Sequence, residues 1–271
     1  MKTLRVAAVT ALALAPLGVL GLPAHAAPDA TVSILHGVPG ATVDVYANGK
    51  ALLTNFKPGT LTKPLELPGG TYDLKVTAAG AGASGKAVIE AKGVKVPSGA
   101  NITVVAHLDA SGKPELTPYV NDTSMVPAGK ARITVRHDAA APAVDVRAGG
   151  TPVFKNLTNP NEAKGVVPAG TIKADVVLAG TSKVAIGPAD LRLKEGTNTI
   201  VYAWGSAKDN NLQLAVQTIG GMHSAPGGIP AGGGGQAQAP ADLVRYAGIG
   251  GASLLAGGAV LLARRRTVPT R

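Results

Sequence analysis

Thr71-Tyr72-Asp73-Leu74-Lys75-Val76-Thr77 decides the fold, because its side chains alternate strictly. Tyr72, Leu74 and Val76 point one way, while Thr71, Asp73, Lys75 and Thr77 point the other. A period of two belongs to a β-strand with one buried and one wet face. The alternation returns at Ile172, Ala174, Val176 and Leu178 against Lys173 and Asp175, at Ile102, Val104, Ala106 and Leu108, and at Leu212, Leu214 and Val216. Gly, Pro, Asn and Asp punctuate these runs, and no helical period appears between residues 30 and 220. The pattern predicts an all-β chain of antiparallel, Ig-like β-sandwiches, each of about seven strands.

Working outward, one unit occurs twice. His36 precedes Val43-Asp44-Val45 and Asn48-Gly49, and His137 precedes Val144-Asp145-Val146 and Gly149-Gly150, with the same His-to-Asp spacing. Pro68-Gly69-Gly70-Thr71-Tyr72 matches Pro168-Ala169-Gly170-Thr171-Ile172, and Gly99 to Val105 matches Gly196 to Tyr202. A period near 100 residues means two domains rather than a solenoid of short repeats. They are placed at 30–124 and 131–220, with Val126-Pro127-Ala128-Gly129 as a short hinge. Residues 221–241 carry Gly, Pro, Ala and Gln with almost no large side chain and read as a flexible linker.

Both ends of the chain read as addresses. Lys2 and Arg5, the apolar stretch Val6 to Leu22 and the small-x-small Ala24-His25-Ala26 make residues 1–26 a secretory signal peptide, so the mature chain is expected to begin at Ala27. Tyr246 to Ala263 carries no charge and is followed by Arg264, Arg265 and Arg266. This stretch is expected to be a transmembrane helix, with 264–271 a basic cytoplasmic tail and the preceding domains outside. The tail also resembles the hydrophobic-plus-arginine tail of Gram-positive surface proteins, although Gly235 to Ala241 has no Thr for a sortase pentapeptide.

The formal net charge is +10, but the ends hold much of it: Lys2 and Arg5 at one end, and five arginines against Asp242 at the other. The rest is spread with mixed signs. Only eight aromatics accompany it (Phe 2, Trp 1, Tyr 5), so nucleic acid is not expected as a partner. With no Cys, a disulfide scaffold, a thiolate zinc site and a cysteine nucleophile are excluded.

The opening stretch of each repeat resembles a known family. His36-Gly37-Val38-Pro39-Gly40-Ala41-Thr42-Val43-Asp44-Val45-Tyr46, then Asn48-Gly49 and the Pro68-to-Tyr72 turn, resemble bacterial domain-of-unknown-function family 4397. His137 to Val146 resembles the same opening. Two tandem copies of an exported β-sandwich are what the resemblance implies, and it supplies no catalytic residues.

His36 with Asp44, and His137 with Asp145, are the recurrent polar pairs. They could form a metal or acid–base site in each repeat. Alternation instead places each His and its Asp on different faces, which favours structural roles: a His bonded at a strand end, an Asp holding a turn. Tyr202 and Trp204 share a face and could stack a sugar, but Ile200 shares it too. Gly80-Ala81-Gly82-Ala83-Ser84-Gly85 fits Gly-x-Gly-x-x-Gly, yet no helical period follows to place a helix N-terminus under a pyrophosphate. No catalytic, metal or cofactor site is expected. The reading is a non-enzymatic cell-surface display, adhesion or spacer protein of the bacterial envelope. Its expected partners are the cytoplasmic membrane, through the C-terminal helix, and a cell-wall or extracellular polymer or protein. The alternative is a carbohydrate- or small-ligand-binding surface sensor.

Overall fold

The computed structural model describes residues 27–223, and all sixteen regular elements among them are strands. The first half comprises β1 (Ala30–His36), β2 (Val43–Ala47), β3 (Lys50–Phe56), β4 (Leu65–Leu67), β5 (Gly70–Ala78), β6 (Ala87–Val96), β7 (Asn101–Leu108) and β8 (Pro114–Val120). The second comprises β9 (Lys130–Ala140), β10 (Val144–Ala148), β11 (Thr151–Leu157), β12 (Glu162–Pro168), β13 (Gly170–Leu178), β14 (Val184–Leu193), β15 (Asn198–Ser206) and β16 (Gln213–Ile219).

They form four four-stranded sheets, in the orders β3-β2-β5-β6, β4-β1-β7-β8, β12-β9-β15-β16 and β11-β10-β13-β14. The second half therefore repeats the strand order of the first. Each half closes around its own apolar core. Val32, Ile34, Ile102 and Val104 meet Val43, Val45, Leu74 and Val76 in the first, and Ile133, Val135 and Val201 meet Val144, Val146, Val176 and Leu191 in the second.

Three expectations are corrected. The sheets are not purely antiparallel, because β1 pairs with β7, and β9 with β15, in parallel. Each half has eight strands rather than seven. Finally, no helix of the described residues is long and apolar enough to cross a membrane; the described chain is all-β, and the stretch 246–263 with Arg264, Arg265 and Arg266 lies outside it. Residues 1–26 and all but the first residues of the 221–241 linker lie outside it as well.

A third core joins the halves. Leu35 of β1, Val105 of β7 and Tyr119 of β8 pack against Ile200 and Tyr202 of β15. The second face of the β4-β1-β7-β8 sheet, where solvent was expected, thus lies on the second face of the β12-β9-β15-β16 sheet. Both halves belong to one compact unit. Burying side chains the size of Leu35 or Ile200 stabilises by about 1.5–3 kcal/mol each, enough to hold two such faces together. The segment between the halves is also tied down: Val126 is buried, and its N–H donates to Met222 O at 2.9 Å.

Candidate functional site

In each half an aspartate clamps a bulge. The β2–β3 register slips between Val43 and Val45, which leaves an extra residue on β3 beside Asn55, held in the left-handed region at φ 53°. Asp44 Oδ1 accepts from Asn55 N–H and Oδ2 from Gly80 N–H, both at 2.8 Å. Asp145 does the same with Asn156 N–H at 2.8 Å and Gly180 N–H at 3.0 Å, and Asn156 has φ 54°. Short side chains such as Asn tolerate this conformation best among non-glycine residues. The backbone N–H donors favour the charged carboxylate and hold both Asp44 and Asp145 below the usual carboxylate range, Asn55 having the larger effect at Asp44 and Gly180 at Asp145.

The two recurrent histidines tie down the loop that follows their strand. His36 Nε2–H donates to Ala41 O at 2.9 Å, and Val38 N–H reaches Nδ1 at 3.4 Å. His137 repeats this with Pro142 O at 3.0 Å and Ala139 N–H at 3.4 Å. Burial lowers the pKa of both rings, against a smaller opposing effect of the carbonyl partner, so the neutral tautomer with its proton on Nε2 is the form that fits. Each His bonds its own loop and each Asp its own bulge and turn, and no hydrogen bond joins His36 to Asp44 or His137 to Asp145 among the described residues. Nor does any group of three His, Asp or Glu among these residues converge as a metal site.

The concentrated chemistry lies in the seam between the halves, which pattern reading missed. Arg136 of β9 is fully buried. Its Nε donates to Glu162 Oε2 at 2.8 Å, Nη1 to Tyr202 OH at 2.9 Å and Nη2 to Asn121 Oδ1 at 2.9 Å. The guanidinium lies 4.1 Å from the Tyr119 ring centre and 5.2 Å from that of Tyr202. Arg suits such a place because its planar fork serves several acceptors while its face stacks on aromatics. Tyr202 OH donates to Gln217 Oε1 at 2.5 Å, Thr103 Oγ1 donates to the same oxygen at 2.9 Å, and Gln217 Nε2 donates to Ser33 Oγ at 3.2 Å. Asn121 Nδ2 donates to Asn101 Oδ1 and Thr103 Oγ1. Asn159 Nδ2 bridges Leu108 O of the first half and Ala139 O of the second.

Tyr202 and Trp204 therefore offer no ring to solvent: both are buried in the seam. Trp204 covers Gly37 and Gly59 of the first half, so that a Cβ on Gly59 would lie 3.0 Å from Trp204 Cζ2. After Gly80 to Gly85 the chain enters β6, a strand. Such a network, buried and largely satisfied, can orient two bodies against each other, because water does not compete for its hydrogen bonds.

Fold and seam together define a class: a four-layer β-protein of two similar halves locked by a buried arginine network. Residues 30–147 match the family described as Domain of unknown function (DUF4397). The match is a single copy; it begins with β1 and runs across the seam as far as Arg147 in β10. No curated protein matches the chain.

Proposed function

We propose that this chain is an exported, non-enzymatic module in which two copies of the family fold are fused into one rigid body for display, spacing or adhesion outside the cell. The observation that carries this reading is where the polar residues go. The recurrent His and Asp side chains bind backbone within their own half, and the polar cluster of the seam is enclosed between sheets. A second copy is supported by the repeated strand order, by the parallel pair in each half and by the Asp–Asn clamp, whose partners stand 11 residues apart in both halves. Export is supported by Lys2, Arg5, the apolar run after them and Ala24-His25-Ala26. The partner is a cell-envelope or extracellular polymer or protein. A sugar platform on Tyr202 and Trp204 gains no support, since both rings are buried.

Protease added to intact producing cells tests this reading. The chain should be cut, or be found in the medium starting at Ala27, while a cytoplasmic control protein survives. Protection until the cells are lysed would overturn it.

A further inference from the structure

Tyr119 OH stands at the centre of the seam with two acceptors in reach, Asp138 Oδ1 at 2.6 Å and Pro160 O at 2.8 Å. A phenol has one proton and can serve only one of them. Were Asp138 a carboxylate, the Tyr119 proton would go to it, and the Pro160 carbonyl would face the phenol oxygen with no hydrogen between them. A proton on Asp138 Oδ1 removes the conflict: Asp138 donates to Tyr119, and Tyr119 donates to Pro160, so that both short contacts become hydrogen bonds.

The surroundings agree. Asp138 is fully buried, and its Oδ2 has no hydrogen-bond partner among the described residues. An anion there would leave an oxygen unsolvated, a larger penalty than for a neutral acid. Arg136, the nearby cation, directs its donors to Glu162, Tyr202 and Asn121. His107 of β7 turns Nδ1 to Leu108 O and Nε2 to Thr117 Oγ1, with Glu115 beyond at 3.4 Å. The titratable and charged groups around Asp138 are thus His107 from β7, Tyr119 from β8, Arg136 on its own strand, Glu162 from β12 and Tyr202 from β15. None of the hydrogen bonds from His107 or Arg136 ends on Asp138.

We propose that Asp138 is held in the folded protein as a protonated acid that ties the two halves together through Tyr119, and that its ionisation loosens the seam. Tyr119 belongs to the first half while Asp138 and Pro160 belong to the second, so the proton sits in a chain of hydrogen bonds that crosses between them. Burial independently pushes the Asp138 carboxyl up to about 6. With the folded value above the ordinary 3.8, the tie is complete at acid pH and is lost as pH rises through about 6. This device needs no ligand, and it stands or falls apart from the display reading.

Trp204, the one tryptophan of the chain, is buried in the seam beside Asp138 in the β9–β15 register and reports its opening. The experiment follows Trp204 emission and iodide quenching in the full chain between pH 5 and 8, at constant ionic strength, alongside Asp138→Asn. Asn can donate to Tyr119 as the protonated acid does, but it cannot ionise. The wild type should become red-shifted and more quenchable as pH rises, and Asp138→Asn should stay flat. A flat wild-type profile, or the same profile in both proteins, would overturn the proposal. Should Asp138→Asn not fold, difference infrared spectra of the wild type between pH 6 and 8, where ordinary carboxyls are already ionised, decide alone: a protonated carboxyl stretch lost across that range supports it, and the absence of such a band at pH 6 overturns it.

Discussion

Arg136 Nη2 of the second half donates to Asn121 Oδ1 of the first at 2.9 Å, at full burial. Because Asn121 Nδ2 in turn grips Asn101 and Thr103, a single guanidinium connects the register of β9 to that of β7 and β8. Leu35, Val105 and Ile200 supply the apolar attraction between the sheets, which is indifferent to small slides. The directional bonds around Arg136 choose one alignment among those the apolar contact permits.

Removing that cation should therefore be severe. Arg136→Ala takes a donor from the buried Tyr202 and Asn121, and from the partly exposed Glu162, which keeps Lys164, and should destabilise the chain by about 3–5 kcal/mol, as for other broken buried pairs. Arg136→Lys should recover little of this, since an ammonium cannot reach three acceptors with the geometry of the fork. Urea unfolding of the full chain measures both; a loss below about 1 kcal/mol, typical of an exposed pair, would mean that the network is wetter than its burial indicates.

The bulge clamp makes a second test. Asn55 and Asn156 sit at φ 53° and 54°. Replacement by Ala should destabilise by about 1–2 kcal/mol, the penalty of the left-handed region, whereas Gly should be nearly neutral. Asp44 and Asp145, whose pKa values are lowered, stabilise the fold above the ordinary 3.8, and this stabilisation is lost as pH falls below it through the folded values. Acid unfolding of Asp44→Asn followed by circular dichroism should consequently be less steep than that of the wild type.

Much of this architecture was legible. Strict alternation in 71–77 marked β5, and the recurrence of His36 with Asp44 at His137 with Asp145 exposed two similar halves. The Asn partners of the clamp were visible in principle, because Asn55 and Asn156 each stand 11 residues after their Asp, but a bulge breaks the period of two and hides its own residues. The seam was harder to see. Arg132, Thr134, Arg136 and Asp138 occupy alternate positions on β9 and look like a wet face. The contrary signal lay in β15, where Ile200, Tyr202 and Trp204 face one way while Val201 and Ala203 face the other, and in β1, where Leu35 lies opposite Ile34. Apolar residues on both faces belong to a strand covered on both sides.

The histidines give a pH test of opposite sign to that of Asp138. Burial sets the folded pKa values of His36 and His137 below the ordinary 6.5. Their stabilisation is complete above 6.5 and is lost as pH falls from there toward the folded values. His36→Gln should flatten this acid-side loss while lowering stability at pH 8 by about 1 kcal/mol, for weakened bonds to Ala41 and Val38. Thermal unfolding between pH 5 and 8, carried out in the Asp138→Asn background, keeps the two titrations apart; an unchanged slope would mean that His36 does not stay neutral.

Gly37 isolates the fit of Trp204 against the first half. A Cβ there would stand 3.0 Å from Ala106 O and 3.2 Å from Trp204 Cβ, both tighter than ordinary contact. Neither neighbour moves easily: Ala106 is a residue of β7, and Trp204 is held within β15. Gly37→Ala should thus push the sheets apart locally, destabilise by about 1–3 kcal/mol in the manner of overpacked cores, and shift Trp204 emission toward longer wavelength. Gly40→Ala is the matched control, because it meets nothing within 4 Å and adds only local strain at φ 89°. It should lower stability while leaving the emission of Trp204 in the folded protein unchanged. Equal emission shifts in the two variants would place the effect in the loop itself rather than in the contact between the halves.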